Sequence, residues 1–96
     1  MPPVILINLF EVPEDKDEAF LAEWEAVKAF MERQPGYLST RLHRSLAPNT
    51  RFRFIHMAEW ETVESFPTAL HHPEFTKLRE ATPCAHFPAV YEVMRT

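Results

Sequence analysis

The chain has 96 residues, 46% of them hydrophobic and 25% charged, with a formal net charge of −4. A chain this short buries roughly 60–65% of its unfolded surface and sustains one core, so a single domain over residues 1–96 is expected. The acidic balance argues against a nucleic-acid partner, whose affinity for proteins rests on a basic face. No apolar run approaches the ~20 residues that span a bilayer, so no membrane partner is expected. The start, Met1-Pro2-Pro3-Val4-Ile5, lacks the basic and small-residue pattern of a secretory leader. One cysteine, Cys84, permits no internal disulfide, and the expected setting is cytoplasmic. A single glycine leaves no phosphate-cradling loop, and no Cys/His spacing suits zinc. The expectation is therefore a protein without a resident cofactor or metal.

Val4 to Phe10 is an apolar run broken only by Asn8, and its β-branched residues predict a strand buried on both faces. From about Asp15 to Arg33 the period becomes helical, with Phe20, Trp24, Val27 and Met31 on one stripe. Glu14, Asp15, Asp17 and Glu18 crowd the first turn, where the helix dipole favours acids. Gln34-Pro35-Gly36-Tyr37 reads as a type II turn, Pro presetting φ and Gly supplying φ > 0. Tyr37 to Ser45 alternates, with Leu38, Thr40 and Leu42 opposite Tyr37, Ser39, Arg41 and His43. Ala47-Pro48-Asn49-Thr50 makes a hairpin turn. Arg51 to Trp60 alternates again, placing Phe52, Phe54, His56, Ala58 and Trp60 on one face. Thr62 can cap a second, interrupted helix that His71-His72-Pro73 divides and Pro83 ends. Phe87 to Met94 forms a last strand.

The order β-α-β-β-α-β is that of the α+β, ferredoxin-like class: a four-stranded antiparallel sheet with two helices on one face. The other face stays uncovered, and because the first strand is apolar on both sides that face is apolar too. Such a surface marks an interface, so a homodimer is expected.

The chain carries, in order, Pro35-Gly36-Tyr37-Leu38-Ser39, His43, His56-Met57-Ala58-Glu59-Trp60, Ser65-Phe66 and Phe75-Thr76-Lys77-Leu78-Arg79-Glu80. These strings resemble the antibiotic biosynthesis monooxygenase family. The resemblance covers nearly the whole chain and implies dimerisation through the sheets into a β-barrel. For the family's cofactor-free oxygenases it implies a phenolic or polycyclic aromatic substrate held between helices and sheet. Triplet dioxygen reacts slowly with closed-shell organics, and an ionised phenol evades this by giving dioxygen one electron. The protein then has only to position the phenol, assist proton loss and stabilise developing anions. Trp60 matches the family tryptophan, His43 a pocket histidine, and Arg79 an arginine that offsets anionic charge. Two positions depart: the family asparagine four residues before the tryptophan is His56, and a helix tyrosine is Phe66.

These strings yield a candidate catalytic set of His56, Trp60, His43 and Arg79. The candidate small-molecule substrate would be lined by Asn8, Phe52, Phe54 and Phe66. His56 is expected to serve as acceptor or base, and the alternative is a core histidine satisfied by a backbone carbonyl. Trp60 can equally be core, His43 a solvated edge residue and Arg79 a helix-surface residue. The heme-degrading relatives share Asn8 but need a helix tryptophan and histidine where Ala69 and Leu78 or Arg79 stand. Two function classes follow: a cofactor-independent monooxygenase, and a non-catalytic dimeric domain that binds a small molecule or serves under stress.

Overall fold

The structure, a computed structural model, describes residues 3–64, 73, 77 and 84–96. Four strands and one long helix lie within them. Strand β1 is Val4–Glu11, helix α1 Asp17–Met31, β2 Tyr37–Arg44, β3 Phe54–Trp60 and β4 Ala85–Tyr91. Most of the second expected helix falls on residues outside the described ones. The sheet order is β2-β3-β1-β4 and every pair is antiparallel, which is ferredoxin-like connectivity.

The helix is shorter than its sequence period suggests, because its entry is tighter. Pro13 is extended, and a single 3₁₀ turn, Glu14–Lys16, closes with Lys16 N–H donating to Pro13 C=O at 2.9 Å. The α-helix proper then starts at Asp17. Its far end is satisfied locally: the N–H groups of Glu32, Arg33 and Gln34 donate to Lys28, Phe30 and Met31 C=O. The Gln34 amide adds a bond to Phe30 C=O.

The turn into β2 has the expected chemistry. Gly36 has φ 88°, and Tyr37 N–H donates to Gln34 C=O at 3.3 Å. Gly36 C=O in turn accepts from Glu61 N–H at 2.8 Å, tying the turn to the end of β3. A Cβ at this φ costs about 1–2 kcal/mol. Gly36→Ala is expected to lower the free energy of unfolding by about that amount, read from urea midpoints at unchanged slope. In the β2–β3 connection Asn49 takes φ 59°, a conformation its short polar side chain tolerates.

Strand alternation assigns two faces. On the helix side stand Val4, Leu6, Asn8 and Phe10 of β1, and Phe54, His56, Ala58 and Trp60 of β3, directly opposite one another. The open side carries Ile5, Ile7 and Leu9, with Ile55 and Met57 of β3 and Phe87, Ala89 and Tyr91 of β4. A bulge between Tyr37 and Ser39 changes the parity of β2. Tyr37 therefore sits opposite Trp60, its ring packed edge-on at 5.7 Å, and shares the helix side with Thr40 and Leu42 instead of opposing them.

Candidate functional site

The core divides into two apolar clusters with a polar band between them. One cluster holds Leu6, Phe30, Met31, Ala58 and Trp60. The other holds Phe10, Val12, Phe20 and Phe54, with Phe20 stacked on Phe54 at 4.7 Å and edge-on to Phe10 at 4.8 Å. Along β3, His56 falls between Phe54 and Ala58; along β1, Asn8 falls between Leu6 and Phe10. Along α1, Trp24 stands between Phe20 and Phe30. Each element thus contributes one polar-tipped residue at the same level.

The three are connected. Trp24 Nε1–H donates to His56 Nδ1 at 2.8 Å, its ring tilted 67° against the imidazole. Asn8 is the directly paired residue opposite His56, which brings the Cβ atoms to roughly 5 Å. Asn8 Oδ1 is buried and has no hydrogen-bond partner among the described residues; the same holds for Thr40 Oγ1 on β2. A buried amide oxygen without a partner loses the hydrogen bonds water would give it, so it is a place where a ligand group gains most. His56 is buried, and burial lowers its imidazole from the ordinary value to about 4, so the ring is neutral at pH 7.

The expected residues separate. His56, Trp60, Asn8 and Phe54 share the helix side of the sheet. Trp60 is fully buried, and four strand residues put its Cα about 13 Å from that of His56. The two residues can therefore touch opposite ends of a polycyclic ligand but not one shared atom. His43 does not join them. It pairs with Ile55 on the open face, exposed, its Nδ1 3.3 Å from Ile55 C=O. Phe52 is likewise no wall of the band. It lies edge-on to Phe87, an open-face residue, at 5.8 Å with the Arg51 guanidinium over its ring. The reason is local: β3 begins only at Phe54, so the alternation does not reach residue 52. Arg53 instead turns to the helix, donating from Nε and Nη2 to the two carboxylate oxygens of Asp17 at 2.7 and 2.8 Å. Phe66 and Arg79 lie outside the described residues.

Trp24 is the residue that helical periodicity alone could not distinguish from core. The available signal was chemical: a half-buried indole N–H needs an acceptor. Two further buried polar atoms belong to the same side, Glu23 Oε2 beside Trp24 and His86 Nδ1 on β4, neither with a hydrogen-bond partner among the described residues. Burial, and then the Glu23 charge, push the neighbouring Cys84 thiol up, which disfavours the nucleophilic thiolate. Among the described residues no three His, Cys, Asp or Glu side chains gather closely enough to hold a metal ion.

A family profile described as antibiotic biosynthesis monooxygenase matches residues 3–81. The chain belongs to that family. Similar solved structures agree on the architecture. A candidate monooxygenase from Shewanella loihica is 42% identical, superposes with a TM-score of 0.84, and the match covers 99% of this chain and 97% of that one. SnoaB from Streptomyces nogalater, a cofactor-independent oxygenase, is 23% identical with a TM-score of 0.85 over 100% and 97% of the two chains. A dimeric protein of ferredoxin-like fold from Bacteroides fragilis is 16% identical with a TM-score of 0.74 over 95% and 96%. No curated protein sequence matches the chain. As in these neighbours the fold is ferredoxin-like, and among the described residues no helix is long and apolar enough to cross a membrane.

Proposed function

We propose that the protein is a homodimeric, cofactor-independent monooxygenase of a small phenolic, hydroquinone or polycyclic aromatic compound, bound at the Asn8–His56–Trp24 band. The observation that carries this reading is the buried, neutral His56 facing Asn8, whose amide oxygen has no hydrogen-bond partner among the described residues. Two apolar aromatic clusters flank that polar level, which suits a flat aromatic ligand with one polar edge. The Shewanella loihica relative and SnoaB support the assignment to oxygenase chemistry.

The chemistry asks little of the protein. A phenol oxidised to a quinone supplies all four electrons that dioxygen needs: one oxygen atom becomes the new carbonyl and the other leaves as water. Donors preset around the developing oxygen anion, in a site closed to water, stabilise the charge without reorganising. His56 is the donor at that oxygen in this reading, Trp60 lies toward the far end of the ligand, Asn8, Phe54 and Phe66 line the ring, and Arg79 retains the role that family resemblance implies. His43, on the open face, has no part in it.

Dioxygen uptake with a panel of naphthols and hydroquinones, in chelator-treated and flavin-free buffer, tests the proposal. Turnover is expected with the wild type, and His56→Ala is expected to lower it by roughly 10²-fold, the usual loss when one preset donor is removed. Oxygen consumption that is unchanged in His56→Ala would take the site out of the chemistry. One observation favours the second reading, a non-catalytic ligand-binding dimer: the acceptor nitrogen of His56 is already satisfied by Trp24. Tight phenol binding without oxygen uptake would select it.

The open sheet face is assigned to the dimer. Ile5, Ile7, Leu9, Ile55, Met57, Phe87 and Tyr91 make it largely apolar across β3, β1 and β4, with Glu59 opposite Ile5 as the charged residue of that stretch. Two such faces packed together close a β-barrel, and an obligate interface of this kind buries on the order of 2,000 Å² or more.

A further inference from the structure

His56 has two ring nitrogens, and the structure settles what one of them does. An indole N–H can only donate, so His56 Nδ1, 2.8 Å from Trp24 Nε1, must present a lone pair. A neutral imidazole with a bare Nδ1 carries its proton on Nε2. The ring therefore meets a ligand as a donor. A general base needs the opposite, a free lone pair pointed at the substrate proton.

The surroundings leave this arrangement undisturbed. The cross-strand neighbours of His56 are Asn8 on β1 and Leu42 on β2, neither of them ionisable. On α1, Glu23 adjoins Trp24 in sequence, and the Lys28 ammonium lies 5.9 Å from the Trp24 ring centroid. On β4 the titratable group of the helix side is His86, which packs 5.9 Å from the Phe10 ring, two residue pairs along the sheet from Asn8. On β2, Tyr37 and Arg44 stand opposite Trp60 and Phe54, at the two ends of β3.

Within the phenol reading above, we propose that Trp24 is a positioning residue. It fixes His56 as an Nε2–H donor, so that the site takes its phenol already ionised and holds the phenolate oxygen rather than removing the proton. The proton passes to solvent before binding, and the bound anion is the species that gives an electron to dioxygen. The substrate class narrows accordingly, to phenols acidic enough to ionise near neutral pH. Phenols conjugated to a carbonyl or nitro group qualify, and a simple naphthol is taken only as its minor ionised fraction.

Two measurements test this, and the first needs no substrate. Nitrogen-15 spectra of the His56 imidazole should show Nδ1 bare and Nε2 protonated in the wild type, and a mixture of tautomers in Trp24→Phe. In the second, 4-nitrophenol is titrated bound to the protein and free. The bound phenol should ionise at lower pH, the anion binding roughly tenfold or more tightly than the neutral form, as one charge-assisted hydrogen bond provides. Trp24→Phe should lose most of that preference while 4-nitrophenol still binds. A wild-type His56 protonated on Nδ1, or a neutral phenol bound more tightly than its anion, overturns the proposal, and both readings hold even if Trp24→Phe fails to fold. Failure of every phenol to bind removes the phenol reading and this proposal with it, while the nitrogen spectra still report the tautomer.

Discussion

Ile7→Asp is expected to turn the proposed dimer into monomers, raising its dissociation constant by roughly 10³-fold or more. Ile7 lies at the middle of the open face, on the inner strand β1: its cross-strand neighbours are Met57 on the other inner strand, β3, and Ala89 on the edge strand β4. A face-to-face dimer places both copies of this residue in a dry interface. Each aspartate would then lose its water without gaining a cation, at a cost of several kcal/mol per uncompensated buried charge. The helix side is untouched, so far-UV circular dichroism should stay unchanged while sedimentation falls from twice 11.3 kDa to the single-chain mass. A wild type that sediments as a single chain at micromolar concentration removes the dimer. A fully dimeric Ile7→Asp moves the interface to another surface.

The face on which Ile7 stands was legible in the sequence because period two holds throughout β1 and β3. Val4 to Phe10 and Trp60 to Phe54 pair residue for residue, and the alternation of the sequence places His56, Trp60 and Asn8 on the helix side as the structure does. Where the readings failed, the period itself failed. The bulge after Tyr37 inserts a residue into β2, and no local composition announces it. Phe52 was assigned by extending an alternation two residues beyond the start of β3, into a segment where the Arg53–Asp17 pair, not the pleat, decides which way side chains point. His43 shows a different failure. Its alternation with Leu42 already sets it on the other face from the band, yet the family resemblance put it in the pocket. Trp24 was hidden for the converse reason, since an aromatic on an amphipathic stripe looks the same whether it packs or donates. Only the partner on β3, thirty-two residues away, distinguishes the two.

That partner also gives the fold an acid limit. In the unfolded chain His56 takes up a proton near pH 6.5, whereas in the folded chain burial delays this until about pH 4. The folded state therefore binds fewer protons across that interval, and stability must fall as the pH falls through it. The sign follows the depressed folded value: the contribution is complete above pH 6.5, declines toward pH 4 and levels off below. At about 1.4 kcal/mol per pH unit, the interval amounts to roughly 3 kcal/mol, a large share of what a small domain possesses. Protonation of the ring would also place a second N–H against the Trp24 donor, which removes the bond between them. Carboxylates such as Asp17, held below its usual range by the Arg53 guanidinium, titrate in acid as well, so the wild-type curve alone does not isolate the histidine. His56→Asn does. It keeps an acceptor for Trp24 and cannot be protonated in this range. Urea unfolding at intervals from pH 7.5 to 4 should show the wild type losing roughly 3 kcal/mol relative to His56→Asn. Two curves that run parallel would mean that His56 is protonated as easily in the folded protein as in water, and the buried neutral donor would have to be abandoned.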